Sequence, residues 1–200
     1  MTARLLDYTP PEAESVLELG CGTGNLSVRL ARRYPAASLT LVDGSTEMVA
    51  VTRSRIEDSA VPLVNEPTYS AVRFESLALP ERSFDVVVSS ISLHHVADKE
   101  NLYRRIRALL RPGGRLCFAD QIRGEPESNH RVNWDHWLDF CREPGNCSRE
   151  EIESLLEHAA AHDHYVTLSE HIALLSDAGF AEIDCAWRNS MWGIVTATAA

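Results

Sequence analysis

The stretch Val16-Leu17-Glu18-Leu19-Gly20-Cys21-Gly22-Thr23-Gly24-Asn25 constrains this chain most: an apolar run closes on an acid, and glycines follow at alternate positions. Behind it, Leu26-Ser27-Val28-Arg29-Leu30-Ala31 carries apolar residues at helical spacing. The pattern reads as a strand, a tight turn and a helix. Glycines in such a turn permit positive φ and let a ligand approach the backbone closely. The helix start adds unpaired N–H groups suited to a carboxylate or phosphate. The first construction in the chain is therefore a seat for an anionic or nucleotide-like small molecule. The spacing is not the G-x-G-x-x-G of a dinucleotide fold, and no lysine follows the glycines as a phosphate loop requires.

A second acid strengthens the nucleoside reading. Leu39-Thr40-Leu41-Val42 has the composition of a buried strand and ends at Asp43. A carboxylate there can accept hydrogen bonds from both ribose hydroxyls. Asp43 would equally suit a cap for the helix expected from Thr46 to Ile56. Met48 taken alone would suit a core position.

Taken together, Glu18-Leu19-Gly20-Cys21-Gly22-Thr23-Gly24 resembles the first motif of the class I S-adenosylmethionine (SAM) dependent methyltransferases. Asp43-Gly44-Ser45-Thr46-Glu47-Met48 resembles their D-x-S-x-x-M pattern. Glu75-Ser76-Leu77-Ala78-Leu79-Pro80 resembles D-A-x-x-L-P with glutamate for aspartate, Ser90-Ile91-Ser92-Leu93-His94-His95-Val96 the segment after strand 4, and Leu110-Arg111-Pro112-Gly113-Gly114 a late structural turn. The resemblance implies cofactor contacts at Glu18, Gly20, Cys21, Gly22, Gly24, Asp43, Gly44, Met48, Glu75, Ser76, Ser89 and Ser90. Glu18 is expected to hold the amino end of SAM, Asp43 the ribose, Gly44 and Met48 the adenine faces, and Glu75 the adenine amine. S-adenosylhomocysteine is the implied product.

The remaining chain fits that fold class. Strand 3 is expected over Ala71–Glu75, strand 4 over Ser83–Ser90, a helix over Asp98–Leu110, and strand 5 up to Asp120. From Gln121 to about Tyr165 the sequence turns polar, helical and rich in Trp and His. Two or three helices are expected there, roughly over 128–142 and 148–161 and separated by Gly145 and Asn146, inserted as a cover for the acceptor site. A helix over Thr167–Ala178 and two strands, Ala181–Trp187 and Met191–Ala197, complete an α/β sheet of order 3-2-1-4-5-7-6 with strand 7 antiparallel. One Rossmann-like domain is expected over residues 1–200. Only fifteen residues precede Val16, so either the cleft is more open than in relatives or the inserted helices close it.

Within the family, residues from Ser148 to Val195 are similar to relatives of the bacterial enzyme that moves a carboxymethyl group from carboxy-SAM onto a tRNA uridine. Glu151-Ile152, His171, Ala178-Gly179-Phe180, Trp187 and Gly193 carry that likeness. The arginine that reads the extra carboxylate falls at Leu156, which cannot bind an anion, so ordinary SAM is the expected cofactor.

Methyl transfer from a sulfonium is an in-line displacement that needs alignment of the acceptor and exclusion of water. A base is required only where the acceptor keeps its proton. His94 and Asp120 are the catalytic candidates, with the histidines of the insertion and Tyr165 behind them. Trp134 and Trp137 lie three apart, where they could line an acceptor pocket or pack against the sheet or a second copy; a homodimer through the insertion is one expectation.

Composition limits the partners. The net charge of −10 argues against a nucleic-acid surface and leaves a small-molecule acceptor as the expectation. Met1–Pro11 lacks the apolar core of a signal peptide, and no run approaches a membrane span. Five cysteines, an odd number, suit reduced thiols in a cytoplasmic protein. Neither cysteines nor histidines show metal-ligand spacing, so no metal is expected. The competing readings are a SAM-binding protein without catalysis and a nucleotide-dependent oxidoreductase.

Overall fold

The computed structural model describes all 200 residues. Its centre is a seven-stranded sheet: β1 (Ser15–Leu19), β2 (Ser38–Asp43), β3 (Thr68–Ala71), β4 (Phe84–Ser90), β5 (Leu110–Gln121), β6 (Phe180–Asn189) and β7 (Trp192–Ala199). The order is β3-β2-β1-β4-β5-β7-β6. The first five strands pair in parallel, and β7 runs antiparallel between β5 and β6. This is the expected fold class and strand order.

Alternation of side chains builds two cores, one per face. Leu17, Val87, Leu116, Phe118 and Val195 enter one cluster. Val16, Val86, Val88, Cys117 and Ile194 enter the other. Adjacent residues take opposite faces because the side-chain period of a strand is two. The parallel strands can therefore be apolar throughout, since both faces are covered. Helices α2 (Asn25–Arg33) and α3 (Thr46–Asp58) serve one face, with α1 (Thr2–Leu5) beside them; α4 (Lys99–Leu109) and α7 (Leu168–Asp177) serve the other. Each fully buried Leu or Phe contributes about 1.5–3 kcal/mol.

The inserted helices are α5 (Glu127–Arg142) and α6 (Arg149–His162). Cys141 is the one buried residue of α5, and α6 buries none. They stand outside the packed layers, so their shape follows local signals. Ser148 caps α6 with a full capping box, its Oγ accepting from Glu151 N while the Glu151 carboxylate accepts from Ser148 N.

Two boundaries differ from the sequence reading. Strand β3 ends at Ala71, level with Asp43 on its neighbour, instead of running to Glu75. Val72 and Phe74 make that stretch look strand-like, but they pack on the core from a loop and a 3-10 turn over Phe74–Ser76. The last hairpin turns at Ser190, where φ is positive, and β6 continues through Asn189.

Candidate functional site

One cavity of about 810 Å³ opens at the carboxyl ends of β1, β2 and β4. Strand order reverses around β1 and β4, and open α/β sheets take their ligands at such a crossing. Its volume is at the upper end of the ~300–1,000 Å³ of small-ligand sites. The glycine loop forms its floor. Gly20 and Gly22 have φ of +75° and +50°. At Gly20 a Cβ would stand 1.9 Å from Ser92 Oγ, so the position is closed by the protein itself. At Gly22 a Cβ would meet nothing within 4 Å, so that backbone faces open space.

Asp43 ties this loop to β2. Gly22 N donates to its Oδ2 at 2.8 Å, and Ser45 N donates to Oδ1 at 2.9 Å. Ser45, not Asp43, caps α3, its Oγ accepting from Met48 N at 3.3 Å. A carboxylate has about four acceptor positions, so two remain for a ligand's hydroxyls. Glu18 also lines the cavity but is almost wholly buried. Burial pushes its carboxyl up to about 8, against the lowering effect of the 2.6 Å hydrogen bond from Ser27 Oγ and with a further rise from the Asp43 charge.

The cavity brings together Glu18, Gly20, Cys21, Gly22, Asp43, Gly44, Met48, Glu75 and Ser90 of the residues named from the sequence. Gly24, Ser76 and Ser89 are not among its lining. Gly24 is the N-cap of α2. Ser76 sits exposed on the 3-10 turn after β3. Ser89 is buried and donates its hydroxyl to Leu19 O at 2.8 Å, fastening β4 to β1. Burial pushes the Cys21 thiol up to about 12, so it lines the cavity as a neutral group.

Two elements beyond the sheet complete the wall. Thr2 enters from α1, its Oγ1 3.1 Å from Ser90 Oγ. His158, Ala161 and His162 enter from α6, and His164 follows them. The insertion thus covers the cavity despite the short segment ahead of β1. Ile91, at the tip of β4, holds φ at +57° on the same wall. For a β-branched residue that costs on the order of 1–3 kcal/mol.

His94 and Asp120 lie behind this wall, not on it. Both are buried, with His94 Nδ1 2.5 Å from Asp120 Oδ1. His94 N donates to Asp120 Oδ2 at 3.1 Å, and Gln121 N donates to Oδ1 at 2.8 Å. Burial works against ionisation of Asp120, but the His94 hydrogen bond and charge hold its carboxyl below the usual range. His95 is the imidazole of this pair that faces the cavity. Burial and then the neighbouring His94 lower its basicity, against the pull of Asp163.

His94, His95 and Asp163 place their ligand-type atoms within 4.8 Å of one another. No spacing along the sequence announces that group. Tyr165 donates its hydroxyl to Asp163 Oδ2 and meets Trp134 edge-on, with ring centres 6.2 Å apart. Trp134 and Trp137 pack against each other at 5.0 Å. Trp134 lines a second hollow of about 540 Å³ between α5 and α6, with His130, Leu156 and Asp163. Leu156 therefore points away from the main cavity.

A cavity at the sheet crossing, with the acids Glu18 and Asp43 beside it and bare glycine backbone beneath, lies where a Rossmann-like sheet takes a nucleotide-like ligand. A family model described as a methyltransferase domain matches residues 16–114. The chain is 27% identical to the ubiquinone/menaquinone biosynthesis C-methyltransferase UbiE of Shewanella sp. (strain W3-18-1), over 90% of this chain and 70% of that protein. Its fold is similar to that of a SAM-dependent methyltransferase from Mesorhizobium loti, with a TM-score of 0.69, 20% identity, and coverage of 98% and 96% of the two chains. It is similar also to phosphoethanolamine N-methyltransferase 2 of Haemonchus contortus, in complex with phosphomonomethylethanolamine and S-adenosylhomocysteine, with a TM-score of 0.70 and 16% identity over 98% of this chain and 52% of that one. The chain thus carries a methyltransferase domain over residues 16–114, on the fold of the SAM-dependent methyltransferases.

Proposed function

We propose that this methyltransferase modifies a small-molecule acceptor held between the cofactor and the wall formed by His95, His158, His162 and His164. The observation that carries this reading is the continuity of one cavity from the glycine loop and Asp43 to those histidines. In it, the ribose hydroxyls of SAM take the two free acceptor positions of Asp43, and its methionine part lies over Gly20 and Gly22. Met48 and Gly44 flank the adenine, and Glu75 accepts from its amine. Glu18 receives the ammonium, giving up the proton that burial holds on it as the cation arrives.

The protein's part in the reaction is alignment. The sulfonium already carries the activated methyl, and α6 keeps water from the transfer line. On this reading His94 and Asp120 are a positioning pair: Asp120 accepts from the His94 ring and backbone, and so fixes the turn that presents His95. The UbiE relatives, named for quinone biosynthesis, and the Haemonchus enzyme with its small amine ligand support a small organic acceptor. The acidic net charge supports it over a nucleic acid. No helix is long and apolar enough to cross a membrane, in keeping with a cytoplasmic enzyme. A homodimer would use the exposed stripe Val132, His136 and Phe140 on α5; sedimentation velocity of Phe140→Glu against the parent tests that contact.

The test is turnover of labelled SAM against two panels, small phenols, quinols, amines and thiols in one and tRNA in the other. Methylation within the first panel, lost in Asp43→Ala, is the expected result. Methylation confined to tRNA would overturn the small-molecule reading.

A further inference from the structure

We infer that His94, His95 and Asp163 form a site for a single divalent cation of the zinc or iron(II) type, set in the wall between the cofactor cavity and the insertion. The three ligand atoms converge within 4.8 Å. His95 Nδ1 lies 3.0 Å and His94 Nε2 3.7 Å from the same oxygen, Asp163 Oδ1. That oxygen is buried, on a side chain only 6% exposed, and the 3.0 Å approach of His95 Nδ1 lacks the alignment of a hydrogen bond. A buried carboxylate oxygen without an aligned donor is costly to leave so, and a cation beside it is the natural complement.

The surroundings of the group strengthen the case. His94 Nδ1 faces Asp120 at 2.5 Å, an arrangement in which the ring donates its proton to the carboxylate. In the neutral form of the ring the Nε2 atom carries a lone pair that faces the carboxylate of Asp163, two acceptors with no proton between them. At 3.7 Å they are too far apart for a hydrogen bond but suitably spaced for two ligands of one ion, whose bonds are about 2.0–2.2 Å each. Carboxylate–histidine–metal relays have this form. The ligating carboxylate is itself braced, by the Tyr165 hydroxyl on Oδ2. The nearby ammonium of Lys99 feels the charges of Asp120 and Asp163 but makes no ion pair with Asp163, donating instead to the carbonyls of Val96 and His164.

Two imidazoles and one carboxylate suit zinc, iron, nickel or copper better than magnesium or calcium. Three protein ligands leave an open position, as in catalytic sites. His95 brings that position to the cavity. An ion there would hold an anionic oxygen of the acceptor; this use rests on the proposed methyl transfer, whereas the binding of the ion does not.

The test is titration of chelator-treated full-length protein with Co²⁺, read by its visible bands, with Zn²⁺ as competitor. One ion per chain is expected, on nitrogen and oxygen ligands. His95→Ala and Asp163→Asn should each weaken it at least tenfold, and Asp120→Asn by about 10–100-fold. His136→Ala, remote on α5, should leave it unchanged. Thermal melts and S-adenosylhomocysteine binding of Asp163→Asn show that the fold and the cofactor cavity persist, so a failed cation site and a failed cofactor reading are told apart. No saturable Co²⁺ binding, equal affinity in His95→Ala and Asp163→Asn, or sulfur-to-cobalt bands placing the ion on a cysteine would each overturn the inference.

Discussion

Asp43 fastens the Gly22 amide and, on the proposed reading, leaves acceptor positions of the same carboxylate for the ribose. Asp43→Ala is therefore expected to weaken SAM by about 1.5–3 kcal/mol, the value of a charge-assisted hydrogen bond, in calorimetry. Unchanged affinity would put the sugar elsewhere. Glu18 gives a pH signature. Its folded carboxyl titrates near 8, against about 4.5 in the unfolded chain. Between those values the folded state holds a proton that the unfolded state releases, so stability falls as pH rises from about 4.5 to about 8. Glu18→Gln keeps an acceptor for Ser27 and removes that loss. In melts across pH 4–9, its advantage over the parent should be absent at the acid end and grow to a plateau above pH 8. A constant difference at every pH would contradict this. Both acids were legible in the sequence because each closes an apolar run at a strand tip. Ser89 was less so: its side chain turns back onto Leu19 O, and strand position alone does not tell a cavity hydroxyl from a structural one.

The elements divide into those held by burial and those held by local signals. Strands β1, β2, β4 and β5 carry runs whose period assigns them without tertiary information, and the sequence placed them within a residue or two. β3 failed because Val72 and Phe74 are apolar for the core beneath a loop, and apolarity does not reveal which backbone carries it. The insertion was legible as helices, from its pattern and the break at Gly145 and Asn146, and as a cover; which of its residues reach the wall was not. Helix α6 buries no residue, so its capping box has unusual weight. Ser148→Ala should cost about 0.5–2 kcal/mol of local helix stability. Hydrogen exchange is expected to show faster opening over α6 with little change in the sheet, since sparsely packed units open on their own. Uniform loss of protection across the chain would mean that α6 belongs to the cooperative core. The meeting of His94 and His95 with Asp163 could not be read from spacing, because it depends on where α6 ends against the turn after β4.

The molecule as a whole joins a rigid sheet crossing to a lightly packed cover, and one cavity spans the two. The glycine loop tests that division. Gly20→Ala drives a Cβ into Ser92 and should lower global stability by about 1–3 kcal/mol, ligand present or not. Gly22→Ala has empty space before it, so its fold should lose only about 1–2 kcal/mol from the left-handed backbone while its ligand affinity falls much further. For the parent, SAM at a hundred times its Kd should add about 2.7 kcal/mol of stability, a rise of about 5–10 °C in Tm for a chain of this size. The most direct measurement is calorimetry of the parent and Gly22→Ala with SAM, S-adenosylhomocysteine and NAD. One SAM or S-adenosylhomocysteine per parent chain, no heat with NAD, and loss of binding in Gly22→Ala is the expected result. Heat with NAD alone, or undiminished SAM affinity in Gly22→Ala, would contradict a sulfonium nucleoside seated on that loop.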